Sequence, residues 1–154
     1  MKNILVTGGA GFIGSNIVDS YIFSGHNVVI IDDLYNGNKN NLNKEAKFYN
    51  LDITSREIYK VFKKEKFDVV NNHAAQINIR QSVKDPIFDA NVNILGSINL
   101  LENSVNFKVK KFIFASSGGA IYGDSKMYTS NEDAAINPDS PYGVSKITSE
   151  LYLE

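Results

Sequence analysis

The sequence predicts an α/β protein, a doubly wound parallel sheet whose strands alternate with helices. Three observations carry this. Short apolar runs of strand length recur along the chain: Ile4-Leu5-Val6, Val28-Val29-Ile30-Ile31 and Phe112-Ile113-Phe114. Continuous apolar character, in place of strict alternation, is what a strand covered on both faces requires. Between these runs lie stretches with apolar residues three and four apart, such as Ile13, Ile17, Val18, Tyr21 and Ile22, which suits helices packed on a sheet. Finally, the first strand and first helix are joined by Thr7-Gly8-Gly9-Ala10-Gly11-Phe12-Ile13-Gly14, glycine-rich where a tight βα turn is needed.

Taken in order, the first strand is expected from about Asn3 to Val6 and the first helix from Phe12 to Phe23, closed by Gly25 with His26 in the turn. Val28 to Ile31 is the second strand. Asn36 to Lys47 is polar and reads as a loop with room for one short helical turn. Phe48 to Leu51 is the third strand. Thr54 with Glu57 three residues later predicts a capping box, opening a helix that runs to about Lys66. Phe67 to Asn71 is the fourth strand. A long helix is expected from near Pro86, with an apolar stripe of Ile87, Ile94, Ile98, Leu101 and Val105. Lys111 to Ser117 is the fifth strand, broken by Ser116-Ser117-Gly118-Gly119. A polar loop leads to Ser140-Pro141, a cap and first position for a helix still running at Glu154.

Composition bounds the function. At 154 residues the chain is one domain, and a net charge of −1 gives no basic excess to suggest nucleic acid. The absence of cysteine rules out a disulfide framework, a zinc–thiolate centre and a thiol nucleophile, and no metal site is expected. The first residues run directly into a strand, so they do not read as a signal peptide, and no apolar run is long enough to cross a membrane. The cytoplasm is the expected location.

Strand, glycine turn and helix together make a phosphate-binding arrangement. Gly8 permits the tight turn, Gly11 lets backbone approach a pyrophosphate, and Gly14 allows close packing of helix on strand, while the helix N-terminus offers N–H groups to the anion. The second strand ends at Asp32-Asp33, 18 residues after Gly14. A carboxylate there accepts hydrogen bonds from ribose hydroxyls and repels a 2′-phosphate, and no arginine occurs between Asp32 and Arg56; NAD is expected over NADP.

A second constellation lies at the other end. Tyr142 and Lys146 are four apart, hence on one face of the expected helix. A lysine ammonium favours phenolate in a neighbouring tyrosine, whose unperturbed pKa of about 10 makes it a poor base. A serine hydroxyl at the preceding strand end, placed like that of Ser117, would bridge phenol and substrate alcohol. The same spacing also occurs at Tyr35/Lys39, Tyr59/Lys63 and Tyr122/Lys126, but only Tyr142 combines a helix start with a serine-bearing strand end upstream.

The glycines fall as Gly-x-x-Gly-x-x-Gly, with Thr7 ahead and Phe12-Ile13 inside. With Asp32, His73 to Gln76, Ser116-Ser117 and Tyr142/Lys146, the chain resembles the extended short-chain dehydrogenase/reductase family of nucleotide-sugar epimerases and dehydratases. The resemblance implies a Rossmann-type sheet in the order 3-2-1-4-5, NAD as cofactor, and Ser117, Tyr142 and Lys146 as catalytic residues. It also implies that Asp52 and Ile53 lie beside the adenine, that His73, Ala74, Ala75 and Gln76 run along the pyrophosphate and nicotinamide ribose, and that Asn93, of an Asn-x-x-Gly pattern with Gly96, supports the site. Asn91 competes for that role. Phe12, Ile13, Asp33, Asn36 and Ser116 complete the expected cofactor set, together with Tyr142 and Lys146 themselves.

Dehydratases of the family carry Thr-Asp-Glu where this chain has Ser117-Gly118-Gly119, so the epimerase branch is implied. Its chemistry is oxidation of a UDP-sugar at C4, of the glucose or galactose kind, through a transient ketone. One residue more than the usual spacing before Tyr122 leaves Ser116 and Ser117 both open for the substrate-facing serine. Family members are about twice as long, so residues 1–154 are expected to be the NAD-binding domain, truncated before the last strands and the substrate domain. The complete protein is expected to be a homodimer, and the isolated chain inactive. The alternatives are a non-catalytic NAD-binding module or fragment, or a dehydratase or decarboxylase of the same family.

Overall fold

The computed structural model describes residues 1–123 and 129–154. Lys126 of the competing Tyr122/Lys126 pair lies outside them. Strands β1 (Asn3–Thr7), β2 (Asn27–Asp32), β3 (Lys47–Asn50), β4 (Val69–Asn72) and β5 (Lys111–Phe114) form one sheet in the order β3-β2-β1-β4-β5, all neighbours parallel. This is the expected five-stranded Rossmann-type order. It puts the change of winding direction between β1 and β4, where open α/β sheets bind ligands.

The chain divides into two compact units, Met1–Ala75 with Asn99–Ala115, and Gln76–Ile98 with Ser116–Glu154. The first holds the sheet. On one face Ile4, Val6, Val28, Ile30 and Val69 pack with Val18 of α1 (Phe12–Phe23). On the other, Leu5, Val29, Ile31 and Val70 pack with Ile58, Val61 and Phe62 of α2 (Ile58–Glu65). Adjacent strand residues thus serve opposite cores, the reason these strands are apolar throughout. Ile13, expected on the packed face of α1, is 61% exposed; the helix begins beside it, before the packed turns.

Helix α2 starts three residues later than expected. Thr54 does not cap it: the Thr54 N–H bonds the Asp52 carboxylate at 2.8 Å, and the Glu57 N–H bonds Ser55 Oγ at 3.2 Å. Two side-chain turns therefore absorb the residues that looked like a capping box.

The second unit contains two helices absent from the expectation, α3 (Ile79–Lys84) and α6 (Gly118–Tyr122). Asn78 caps α3, and Asp85 caps α4 (Pro86–Ala90), with Pro86 in its first turn. A π-helical turn, Asn91–Leu95, then joins α4 to α5 (Gly96–Asn106). The apolar stripe counted through this stretch fails. Ile87 is 81% and Val105 78% exposed, whereas Asp89, Asn93, Ser97 and Leu100 are buried. The stripe fails on both sides of the π turn, and the buried residues keep three- and four-residue spacing through it, so the covered face of this stretch is a largely polar one beside the stripe that was counted. The buried Ser97 and Ser104 hydroxyls bond carbonyls of their own helix, so polar residues satisfy themselves inside. Strand β5 ends three residues short of Ser117. Helix α7 (Pro141–Leu151), capped by Ser140 onto the Gly143 N–H at 3.2 Å, stops at Leu151 and does not continue to Glu154.

Candidate active site

In the first unit the glycine turn is shaped by its surroundings. Gly8 has φ +68°, and a Cβ there would lie 2.7 Å from the His73 carbonyl and the Ala74 nitrogen. A Cβ on Gly14 would stand 2.2 Å from the Gly8 oxygen, so the start of α1 rests on the turn itself. Gly9, given no role in the sequence reading, would put a Cβ 2.7 Å from Ile30 Cγ2. Gly11 is the cap residue of α1, and no side chain caps that helix. Its first-turn donors, at Phe12 and Ile13 where the side chains are exposed, are thus available to an anion. This backbone cradle fits a pyrophosphate.

Asp32, 7% exposed, already has structural work: Oδ2 accepts the Ala10 N–H at 3.0 Å and Oδ1 the Leu34 N–H at 2.8 Å. Gly37 makes room for it, since a Cβ there would meet Asp32 Oδ1 at 2.7 Å. Each carboxylate oxygen keeps acceptor capacity for a ribose hydroxyl. Asp33 and Asn36 are exposed, and Asp33 accepts the Tyr35 N–H at 2.9 Å. Asp52 is exposed in its turn, whereas Ile53 is buried. Thr7 ties the strand ends together: its hydroxyl donates to Asn72 Oδ1 at 2.5 Å and accepts from the Ala74 N–H at 3.3 Å, fixing the segment His73, Ala74 and Ala75.

The second unit assembles the tyrosine, lysine and serine. Tyr142 and Lys146 are both buried on α7, with Lys146 Nζ 5.8 Å from the Tyr142 ring centre. The Tyr142 N–H bonds Ser82 Oγ at 3.2 Å. The Ser117 hydroxyl does not cap α6 and instead hydrogen-bonds the Tyr142 phenol; Ser116 is exposed. The geometry thus separates two serines that the sequence left open. Tyr35 and Tyr59, of the competing pairs, are 65% and 49% exposed.

Electrostatics correct one expectation. The Tyr142 phenol is not brought below its ordinary range. Burial raises the Tyr142 pKa above its ordinary 10, the Ser117 hydrogen bond lowers it in part, and the charge of Asp89 raises it further. Burial also lowers Lys146 to about 8, against the upward pull of Asp89 and Glu150. The sequence reading missed this Asp89.

Asn93, not the exposed Asn91, is the buried asparagine. Its side chain bonds Gln76 twice, Oδ1 accepting the Gln76 N–H and Nδ2 donating to the Gln76 carbonyl, both at 2.9 Å. Its own carbonyl accepts the Ser97 and Ser149 hydroxyls at 2.7 and 3.0 Å. Gln76 is therefore held by backbone and side chain alike. Among the described residues no cluster of acids and histidines could hold a metal ion, and no helix is long and apolar enough to cross a membrane.

A parallel sheet in this order, opened by an uncapped glycine turn and ended by a buried acid, defines a dinucleotide-binding protein of the Rossmann class. The chain belongs to the NAD dependent epimerase/dehydratase family, whose profile matches residues 4–154. A UDP-glucose 4-epimerase of Mycolicibacterium smegmatis is 41% identical over 154 residues, spanning 97% of this chain and 49% of its own length. The crystal structure of UDP-glucose 4-epimerase with UDP-glucose from Thermotoga maritima is 46% identical, with a TM-score of 0.95 over 98% of this chain and 50% of that one. The Thermus thermophilus UDP-glucose 4-epimerase in complex with NAD is 40% identical, also with a TM-score of 0.95, over 98% of this chain and 49% of that one. The chain thus spans about half the length of the relatives it matches.

Proposed function

We propose that this chain is the NAD-binding and proton-transfer part of a nucleotide-sugar 4-epimerase acting on UDP-sugars of the glucose and galactose kind. The observation that carries the reading is the Ser117 hydroxyl bonded to the Tyr142 phenol, one helical turn from the buried Lys146. Relatives solved with UDP-glucose and with NAD support it.

In this reading the backbone of Gly8, Gly11, Phe12, Ile13 and Gly14 receives the pyrophosphate. Asp32 takes the ribose hydroxyls, with Asp33 and Asn36 flanking, and Asp52 and Ile53 border the adenine. His73, Ala74, Ala75 and Gln76, braced by Asn93, serve the nicotinamide end with Ser116, Tyr142 and Lys146. Bound NAD supplies the acceptor and donor of hydride for oxidising the C4 hydroxyl to a ketone and reducing it on the opposite face, and its oxidised ring adds a positive charge that favours phenolate. Tyr142 Oη takes the proton of the C4 hydroxyl and returns it when the ketone is reduced. Ser117 bridges that phenol to the sugar alcohol. Lys146, with a pKa of about 8, carries its ammonium at neutral pH and donates to the ribose.

Residues 1–154 act as the cofactor domain, a further domain holds the nucleotide diphosphate, and the complete protein works as a cytoplasmic homodimer. The test is conversion of UDP-galactose to UDP-glucose by the protein extended to the length of its relatives. Tyr142→Phe is expected to cut turnover by roughly 10²–10⁴-fold, the usual worth of a general base, with NAD affinity in calorimetry nearly unchanged. A variant that keeps near-normal turnover removes Tyr142 from this role. The 154-residue chain alone is expected to bind NAD weakly without measurable epimerisation, because remote binding energy normally positions the reacting centre.

A further inference from the structure

Asp89 is a fully buried carboxylate that the proposed reaction does not use. Among the described residues it accepts hydrogen bonds from three neutral groups: Gln76 Nε2 at 2.9 Å and Asn93 Nδ2 at 3.0 Å on Oδ1, and Ser145 Oγ at 2.6 Å on Oδ2. Neutral donors satisfy lone pairs, but an ionised carboxylate taken out of water also needs a counter-charge. Among the described residues Lys146 is the one buried lysine or arginine, and its charge and that of Asp89 act on each other. Around Asp89, α7 contributes Tyr142, Lys146 and the half-buried Glu150, while Arg80 and Lys84 of α3 and the neighbouring Asp85 are exposed. Ser145, the donor at the shortest distance, sits on α7 between Tyr142 and Lys146.

We propose that Asp89 is a positioning residue of the reaction: through Ser145, Asn93 and Gln76 it locks α7 in register beneath the Tyr142–Lys146 pair, and its negative charge balances the Lys146 ammonium. The inference rests on the roles given above to those two residues. Asp89→Asn isolates the charge, because an amide keeps the size and the Ser145 hydroxyl can accept as well as donate.

The first test is an NMR titration of this chain with labelled lysine and tyrosine. Removing the charge is expected to move the Lys146 titration down from about 8 by roughly one pH unit, and Tyr142 down with it; an unmoved Lys146 overturns the proposal. In the protein of full relative length, the whole bell of kcat/KM against pH is expected to shift to lower pH. A fall in rate at every pH with no displacement overturns the proposal in favour of a merely structural role. Absence of UDP-sugar turnover in the parent protein would instead refute the epimerase reading, and the titration would still decide on Asp89. Should Asp89→Asn fail to fold, melting curves decide: the Asp89→Asn/Lys146→Met double variant is expected to regain stability that the single variant loses. A double variant no more stable than the single one overturns the charge balance.

Discussion

Lys146→Met is the substitution whose outcome follows most directly from the structure. Lys146 is 4% exposed and its pKa is lowered from 10.5 to about 8. Below about pH 8 the folded chain carries a buried ammonium and the cost of burying it is fully present. As pH rises through 8 the folded chain gives up the proton while the unfolded chain keeps it, so stability rises with pH until the unfolded lysine titrates near 10.5. Each pH unit inside this window is worth about 1.4 kcal/mol, and the whole gap about 3 kcal/mol. From pH 7 to pH 9 the expected gain is about 1 kcal/mol, since the first unit precedes the folded pKa. Tyr142 and Lys47, both shifted upward, titrate above this range and do not obscure it. Methionine keeps the packing of the lysine stem without the charge. Whatever the substitution does to absolute stability, including leaving Asp89 without its counter-charge, it removes the slope. Urea unfolding of this chain and its variant at pH 7, 8 and 9 measures the difference. Parallel stabilities of the two proteins across that range would refute a lysine buried as ammonium. In an active form the same titration sets the alkaline limb of the rate profile.

Asp32→Ala is expected to weaken NAD binding by about 1–3 kcal/mol, the order for hydrogen bonds to a charged group, and to lower stability comparably because the Ala10 and Leu34 N–H groups lose their acceptor. Calorimetry and urea unfolding separate the two, and a parent protein that prefers NADP would contradict the ribose assignment. Gly14→Ala is expected to cost about 1–3 kcal/mol or more from a Cβ pressed on fixed backbone. Gly25→Ala, with φ +76° and open space around it, carries only the strain of a left-handed alanine, about 1 kcal/mol. If the Gly25 variant proves the less stable, the closeness of α1 to the glycine turn is not what Gly14 serves.

Local chemistry made much of the fold legible before any coordinates. The apolar runs Ile4-Leu5-Val6 and Val28 to Ile31 need two covered faces, and Gly8 to Gly14 needs a strand on one side and a helix on the other. Phe12–Phe23 is therefore the helix that both signals specify. What stayed hidden depends on partners distant in sequence or on a break in period. Thr54 and Glu57 carry the right spacing for a capping box, but Asp52 and Ser55 compete for the same backbone groups and win them. At the site, Tyr142 and Lys146 stand out because both lie on one helix at one spacing. Asp89 and Ser82 are ordinary polar residues until the fold brings them to that helix, 56 and 60 residues away along the chain. Burial likewise could not be weighed against the lysine's charge from spacing alone, and it reversed the expected direction for Tyr142.

The π-helical turn at Asn91–Leu95 makes chain length itself a functional variable. There the Gly96 N–H reaches back five residues to the Asn91 carbonyl, so the helix carries one residue more than an α-helical path between the same ends would hold. Deleting any single residue of 91–95 would let the helix close into regular α geometry, a local gain in hydrogen bonding. Asp89 and Ser97 would keep their phase, because the wide turn takes up its extra residue without turning the helix on either side, so the loss falls on the residues of the turn itself. Removing Asn93 itself would abolish its clasp on Gln76 while leaving the helix sound, whereas loss of the exposed Asn91 is expected to be tolerated, and a scan of single-residue deletions should separate the two. Substitutions sample side chains on a fixed thread; here the thread carries one bead more than its span needs.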